Sequence, residues 1–168
     1  MAAIKLKSYN QQLNSELQSF VSEAAVKYKT NKQASLTYTV NSLLKQKLLL
    51  IQLINKGISI DLFMQIVNES SFNLSEWSHV INLPYRTIQR YLKSTKLLKP
   101  IHTEKVFEFL QVIEKGNEVF GSNEKFSTWA HNKKHIFGNK RPIDLLNTSF
   151  GVSIILKELN RIEHGLFA

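Results

Sequence analysis

In "LPYRTIQRYLK", residues 83–93, the side chains of Tyr85, Arg86, Thr87, Gln89, Arg90 and Lys93 crowd into one short stretch, and all six suit contacts to nucleic acid. Arginine and glutamine end in planar groups that pair with guanine and adenine edges respectively. Lys93, Lys96 and Lys99 suit the phosphate backbone. At about 100° per residue, Arg86, Gln89, Arg90 and Lys93 fall in one arc of a helix, with Ile88, Tyr91 and Leu92 on the other side. That is the division a recognition helix requires, an apolar back fixed to its neighbour and a cationic front for a major groove. Any amphipathic helix in a lysine-rich chain shows a basic face. The tight turn with Asn82 and Pro84, and the absence of acidic residues from Leu83 to His102, favour DNA.

A second pattern is the pair His131 and His135, four apart, which could set two imidazoles on one helix face for a metal. No glutamate follows His131 directly and "HNKKHIFG" reads as a helix end or loop, so solvent-exposed histidines beside lysines are expected instead. There is no glycine-rich phosphate loop, nucleophile elbow or cluster of carboxylates. With no cysteine in the chain, disulfides, thiolate-bound zinc and thiol nucleophiles are excluded. The expectation is a protein that is not an enzyme and needs no cofactor and no metal.

The elements that must position these groups are helical. Ser75 is an eligible N-cap for a helix in which Trp77, Val80 and Ile81 share a face, ending at Asn82, a residue that tolerates left-handed backbone. Pro84 suits the first turn of the next helix. Ser122 can cap a short helix bearing Phe126 and Trp129, and Gly138 marks a turn. Pro142 suits the first position of a short helix "PIDLLN" buried through Ile143, Leu145 and Leu146. Thr148 and Ser149 are eligible caps for a last helix with Val152, Ile155, Leu156, Leu159 and Ile162 inward and Lys157, Asn160, Arg161 and His164 outward, closed by Gly165. Nearer the N-terminus, Leu13, Leu17, Phe20, Ala24 and Ala25 share a helical face, Leu43 to Ile54 is apolar enough for a buried helix, and "SLTYTVNSLL" holds the strongest β-branched alternation.

The 168 residues, 43% hydrophobic and 21% charged, suffice for one domain or two small ones. The fold expected is all-α, as an N-terminal helical leader over residues 1–55, a helix-turn-helix domain over 56–115 and a small helical domain over 116–168. A net charge of +9 favours polyanionic partners, although lysine-rich coding bias produces the same sign. The N-terminus lacks the apolar stretch of a secretory signal, and the run Leu48 to Ile54 falls far short of the roughly 20 residues of a membrane span. A cytoplasmic protein without membrane contact is expected.

The ordered set "VFGS" (Val119 to Ser122), Trp129, Gly138, "RPIDLL" (Arg141 to Leu146), Gly151 and "LNRIEHG" (Leu159 to Gly165) resembles the toxin-binding domain of the MbcA/ParS/Xre antitoxin family. That family's Xre-like helix-turn-helix precedes this domain, where "LPYRTIQRYLK" lies here, so the resemblance spans residues 57–168. It implies a bacterial type II antitoxin that inhibits a RES-domain toxin, an enzyme that consumes NAD or transfers its ADP-ribose, and that represses its own operon at operator DNA. It implies further that Arg141, Pro142 and Gly151 shape the toxin-binding fold, and that Asn160, Arg161, His164 and the tail Gly165, Leu166, Phe167 and Ala168 enter the toxin's cleft. A guanidinium suits a dinucleotide phosphate site; a plain ion pair of Arg161 with Glu158 or in the neighbourhood of Glu163, on a solvated face, is the alternative. A homodimer, with a larger toxin–antitoxin complex, is expected because such repressors read paired half-sites. The chain departs from the family pattern at Ala130, Asn139 and Lys105. A free-standing transcription regulator and a hydrolase using the histidine pair are the competing readings.

Overall fold

The computed structural model describes residues 47–94 and 96–165. Among them the chain forms seven α-helices and two 3-10 turns, with isolated β-bridges and no strand. The fold is all-α, as the periodicity implies.

Helix α1, Lys47–Lys56, stops at Gly57, whose φ of 84° suits glycine and whose missing side chain leaves room for the Leu98 carbonyl. Helix α2, Ile60–Glu69, is capped by Ser59 through a 3.1 Å bond from the Leu62 N–H. It buries Ile60, Leu62, Phe63, Ile66 and Val67. Helix α3, Leu74–Val80, and helix α4, Tyr85–Leu92, are joined by a tight turn in which Asn82 takes a φ of 51°.

Helix α5, Pro100–Phe120, has 21 residues and so runs about 31 Å. Proline at its first position needs no donor there, and Gly121, φ 81°, ends it. Against this spine pack α1, α3, α6 (Asn123–His131) and α7 (Ser149–Glu163). The 3-10 turns His135–Phe137 and Pro142–Leu145 link the last two helices. One contiguous apolar core runs from Leu53 on α1 to Leu159 on α7. At its centre Trp77 meets Phe63 edge-on at 5.8 Å and Phe109 at 4.5 Å, and Phe72 bridges Phe109 and Phe126. Aromatic pairs in this arrangement favour their mutual geometry beyond simple burial.

Four local expectations are corrected. The cap of α3 is Asn73, not Ser75: Asn73 Oδ1 accepts from the Glu76 N–H at 3.0 Å while Glu76 Oε2 accepts from the Asn73 N–H at 2.8 Å, a reciprocal box that satisfies two orphan donors where Ser75 offers no such pairing. Pro84 is the cap of α4 rather than its first residue. "PIDLLN" is a 3-10 turn, and its Leu145 is only half-buried. The apolar run before Asn55 is not a buried helix: Leu53 is 5% exposed, but Leu48 is 79% and Ile51 52% exposed. Residues Leu43 to Gln46, the "SLTYTVNSLL" stretch and the Leu13 to Ala25 segment lie outside the described residues.

Candidate functional site: a basic helix and the C-terminal module

Helix α4 exists because Ile88 and Tyr91 are buried against α2 and α3 while its other face meets solvent. Arg86, Arg90 and Lys93 are exposed, Tyr85 is 52% exposed, and Thr87 and Gln89 are half-exposed. Among the described residues no salt bridge engages Arg86, Arg90 or Lys93. The six side chains expected from sequence therefore share one helix and its C-cap, with the cations free to meet phosphates. The turn that leads into α4 is fastened from two directions. Asn82 Nδ2 donates to the Asn147 carbonyl at 2.8 Å, and His102 Nδ1 lies 2.9 Å from the Ile81 carbonyl.

Residues 141–147 run beside α3. Arg141 donates from Nε to Asp144 Oδ2 at 2.9 Å and from Nη2 to Oδ1 at 2.6 Å, the bidentate geometry for which a guanidinium is suited. These bonds, aided by the neighbouring positive charge, hold the Asp144 carboxyl below the usual carboxylate range although burial opposes them. Pro142, Ile143 and Leu146 are buried beneath. Thr148 caps α7 by accepting from the Gly151 N–H at 3.0 Å, and Gly151 is required because a Cβ there would strike the Leu145 carbonyl. Lys105, a departure from the family pattern, bonds Glu108 at 2.8 Å and Ser149 Oγ at 3.0 Å. Gly138 and Asn139 both adopt left-handed backbone, φ 63° and 60°, which explains why asparagine can replace a second glycine at this loop.

The second group of expected residues lies on the last turn of α7. Asn160 and His164 are exposed, Arg161 is half-buried and donates to Glu158 at 3.0 Å, and Gly165 turns left-handed at φ 65°. Nearby, Lys115 on α5 bonds Glu163 at 2.6 Å, an attachment of α7 to α5. Leu166, Phe167 and Ala168 lie outside the described residues. Arg141 belongs to the junction beside α3, where it is committed to Asp144.

His131 corrects the expectation of solvent-exposed histidines. It ends α6 half-buried, its Nε2 is bonded to Glu76 of α3, its Nδ1 is 2.6 Å from the Ser127 carbonyl, and its ring stacks on Phe72. His135 lies beyond, exposed at the start of the following turn. Ser127, His131 and Glu76 hold a hydroxyl, an imidazole and a carboxylate in sequence. The Ser127 hydroxyl, however, donates to the Ser71 carbonyl at 3.1 Å, so its proton holds α6 to the α2–α3 loop and is not aimed at the ring. The arrangement is a clamp between elements.

Residues 115–165 match the family described as the antitoxin Xre/MbcA/ParS C-terminal toxin-binding domain, the stretch from the end of α5 through α7. This C-terminal segment is similar to the toxin-binding domain of the Xre/MbcA/ParS antitoxins. Two proteins named Antitoxin Xre are similar over most of their lengths. The one from Yersinia enterocolitica is 26% identical over 120 residues, covering 71% of this chain and 81% of that protein. The one from Photorhabdus laumondii is 21% identical over 115 residues, covering 68% and 78%. The matched segment has its base, Arg141 to Asn147, bonded to the α3–α4 turn through Asn82 and the Asn147 carbonyl. Among its described residues no helix is long and apolar enough to cross a membrane.

Sequence reasoning missed the links between elements: Glu76 with His131, Asn82 with Asn147, and Lys115 with Glu163. One signal was present, since Asn73 and Glu76 have capping-box spacing. The partners far apart in sequence left none.

Proposed function

We propose that this protein is an antitoxin with two separate working faces: the α4 face binds operator DNA and represses the antitoxin's own operon, and the last turn of α7 with the tail to Ala168 occupies the cleft of a RES-domain toxin. The division into a leader over 1–55, a DNA-binding part over 56–115 and a toxin-binding part over 116–168 is part of this reading. The observation that carries it is the matched toxin-binding domain attached to an acid-free helix with Arg86, Arg90 and Lys93 exposed on one side. Pairing of two such chains would set two α4 helices on paired half-sites. The role is inhibitory and non-catalytic, and it takes place in the cytoplasm with the toxin.

Asn160, Arg161 and His164 present an amide, a guanidinium and an imidazole, and the guanidinium suits a carboxylate of the toxin's cleft. Arg161 already shares its charge with Glu158 in a half-buried pair, so entry into the cleft exchanges one carboxylate partner for another. The test is a crossed experiment with a co-encoded RES-domain toxin. Replacing Arg86 and Arg90 by alanine abolishes the promoter gel shift and leaves neutralisation intact; deleting residues 161–168 does the reverse. A truncated protein that still protects cells removes the tail from the inhibitory role, and a promoter shift unchanged in the arginine variant removes α4 from DNA binding.

A further inference from the structure

A second acid-free, cationic stretch lies between α6 and α7. Residues 125–143 contain Lys125, Lys133, Lys134, Lys140 and Arg141 and no aspartate or glutamate. In its middle is a tight hairpin. The Lys134 N–H donates to the Lys140 carbonyl at 3.0 Å and the Asn139 N–H to the Lys134 carbonyl at 3.0 Å, while Gly138 and Asn139 turn left-handed. Phe137 meets Trp129 edge-on at 6.3 Å, and Lys134 Nζ lies 5.7 Å from the centre of the tryptophan ring. These inner side chains anchor the hairpin, and Lys133, His135 and Lys140 stay exposed. Among the described residues no salt bridge engages Lys133 or Lys140. Two carboxylates near the hairpin's base are already paired, Asp144 with Arg141 and Glu76 with His131, so they offset the lysines little.

The base is fastened beside α4. The turn Pro142–Leu145 packs on α3, and the Asn147 carbonyl accepts from Asn82 in the turn that leads into α4. Asn147 lies seven residues beyond Lys140, a distance of at most roughly 24 Å along the chain. One turn of a duplex is longer, about 34 Å. A duplex seated on α4 therefore keeps phosphates within one helical turn of the hairpin.

Resting on the reading of α4 as the DNA-binding helix, we propose that the 132–140 hairpin is a second DNA contact, in which Lys133 and Lys140 neutralise phosphates outside the groove that α4 enters. A lysine is a point charge on a flexible stem and suits phosphates rather than base edges, so the hairpin adds affinity and salt dependence without sequence preference. Ile136, 54% exposed in the same loop, takes no part in such a contact, whereas a protein partner would cover it.

The test is a set of promoter binding isotherms at several salt concentrations, with three full-length variants: Lys133→Gln with Lys140→Gln, Ile136→Ser, and Arg86→Ala with Arg90→Ala. The lysine variant reduces the slope of log affinity against log salt by about 1.8, two phosphates at about 0.9 each, and weakens binding at least about tenfold near 0.1 M salt. Its discrimination between the promoter and substituted fragments is unchanged, and Ile136→Ser binds as wild type does. A lysine variant with wild-type slope and affinity overturns the hairpin contact, and leaves α4 standing when the arginine variant no longer shifts the promoter. Binding that survives in the arginine variant but falls in the lysine variant supports the hairpin and removes α4 instead. Lysine and isoleucine variants that bind the promoter normally but fail to neutralise the toxin overturn the proposal and assign the hairpin to the toxin.

Discussion

Glu76 on α3 and His131 on α6, 55 residues apart in sequence, are bonded to each other, and the other imidazole nitrogen faces the Ser127 carbonyl at 2.6 Å. A carbonyl oxygen and a carboxylate both accept, so the imidazolium form, which donates from both ring nitrogens, satisfies the two contacts together. Burial pulls the His131 pKa down, but the bonds to Glu76 and to the Ser127 carbonyl, with the attraction of Glu76, outweigh it and the opposing Arg141, and the pKa rises above its usual 6.5.

The sign of the resulting pH dependence is fixed. A folded-state pKa above the unfolded value gives stability that is fully present below the unfolded pKa and is lost as pH rises through the folded one. His131→Gln therefore lowers stability most in mildly acidic solution, by about 1 kcal/mol, the value for a charged hydrogen bond reduced for partial exposure. Urea melts of the two proteins between about pH 5.5 and 9, bracketing the ordinary histidine range, measure the difference. A gap that stays constant across that range rules out the cationic clamp.

Gly116 lies inside α5, where alanine would normally add about 0.5–1 kcal/mol of helix stability. A Cβ at this position would fall into the ring of Phe126, which is fully buried between Phe120, Trp129 and Phe72. That ring has nowhere to move, so overpacking of about 1–3 kcal/mol exceeds the propensity gain. Gly116→Ala should lower the thermal midpoint by several degrees, as about 1 kcal/mol does in a domain of this size; a raised midpoint would show that α6 can shift.

How much of this was legible beforehand depends on the range of the interaction. The amphipathic period of α4 put Ile88 and Tyr91 inside and Arg86, Arg90 and Lys93 outside, because one face of a single helix repeats within the window being read. Gly138, Pro142 and Gly165 each sit at an element boundary, for backbone reasons local to the residue. Which side of α1 is covered is a tertiary matter, so its apolar run gave no warning that Leu48 would be exposed. The bonds of Glu76 to His131 and of Asn82 to Asn147 join side chains across 55 and 65 residues and leave no periodic trace.

Asn82 combines a left-handed φ of 51° with its bond to the Asn147 carbonyl. Asn82→Gly keeps the backbone freedom and loses the bond, whereas Asn82→Ala loses the bond and adds a left-handed penalty of about 1–2 kcal/mol. Denaturant midpoints should therefore order as wild type, glycine variant, alanine variant. An alanine variant as stable as the glycine variant would mean that the turn relaxes out of the left-handed region.

If α4 reads DNA, its side chains must differ in how they do so. Lys93, exposed beyond the helix end, is suited to a phosphate, so Lys93→Ala weakens binding to every sequence alike and reduces the slope of log affinity against log salt by about 0.9, one contact on a duplex. Gln89, half-exposed in the middle of the cationic arc, is suited to an adenine edge. Gln89→Ala should leave the salt slope unchanged and cost about 1–3 kcal/mol of discrimination at one base pair. Binding isotherms for the promoter fragment and single-substitution variants, at several salt concentrations, separate the two behaviours. An equal fall in slope for both variants would mean that the arc contacts only the backbone and that sequence is read elsewhere.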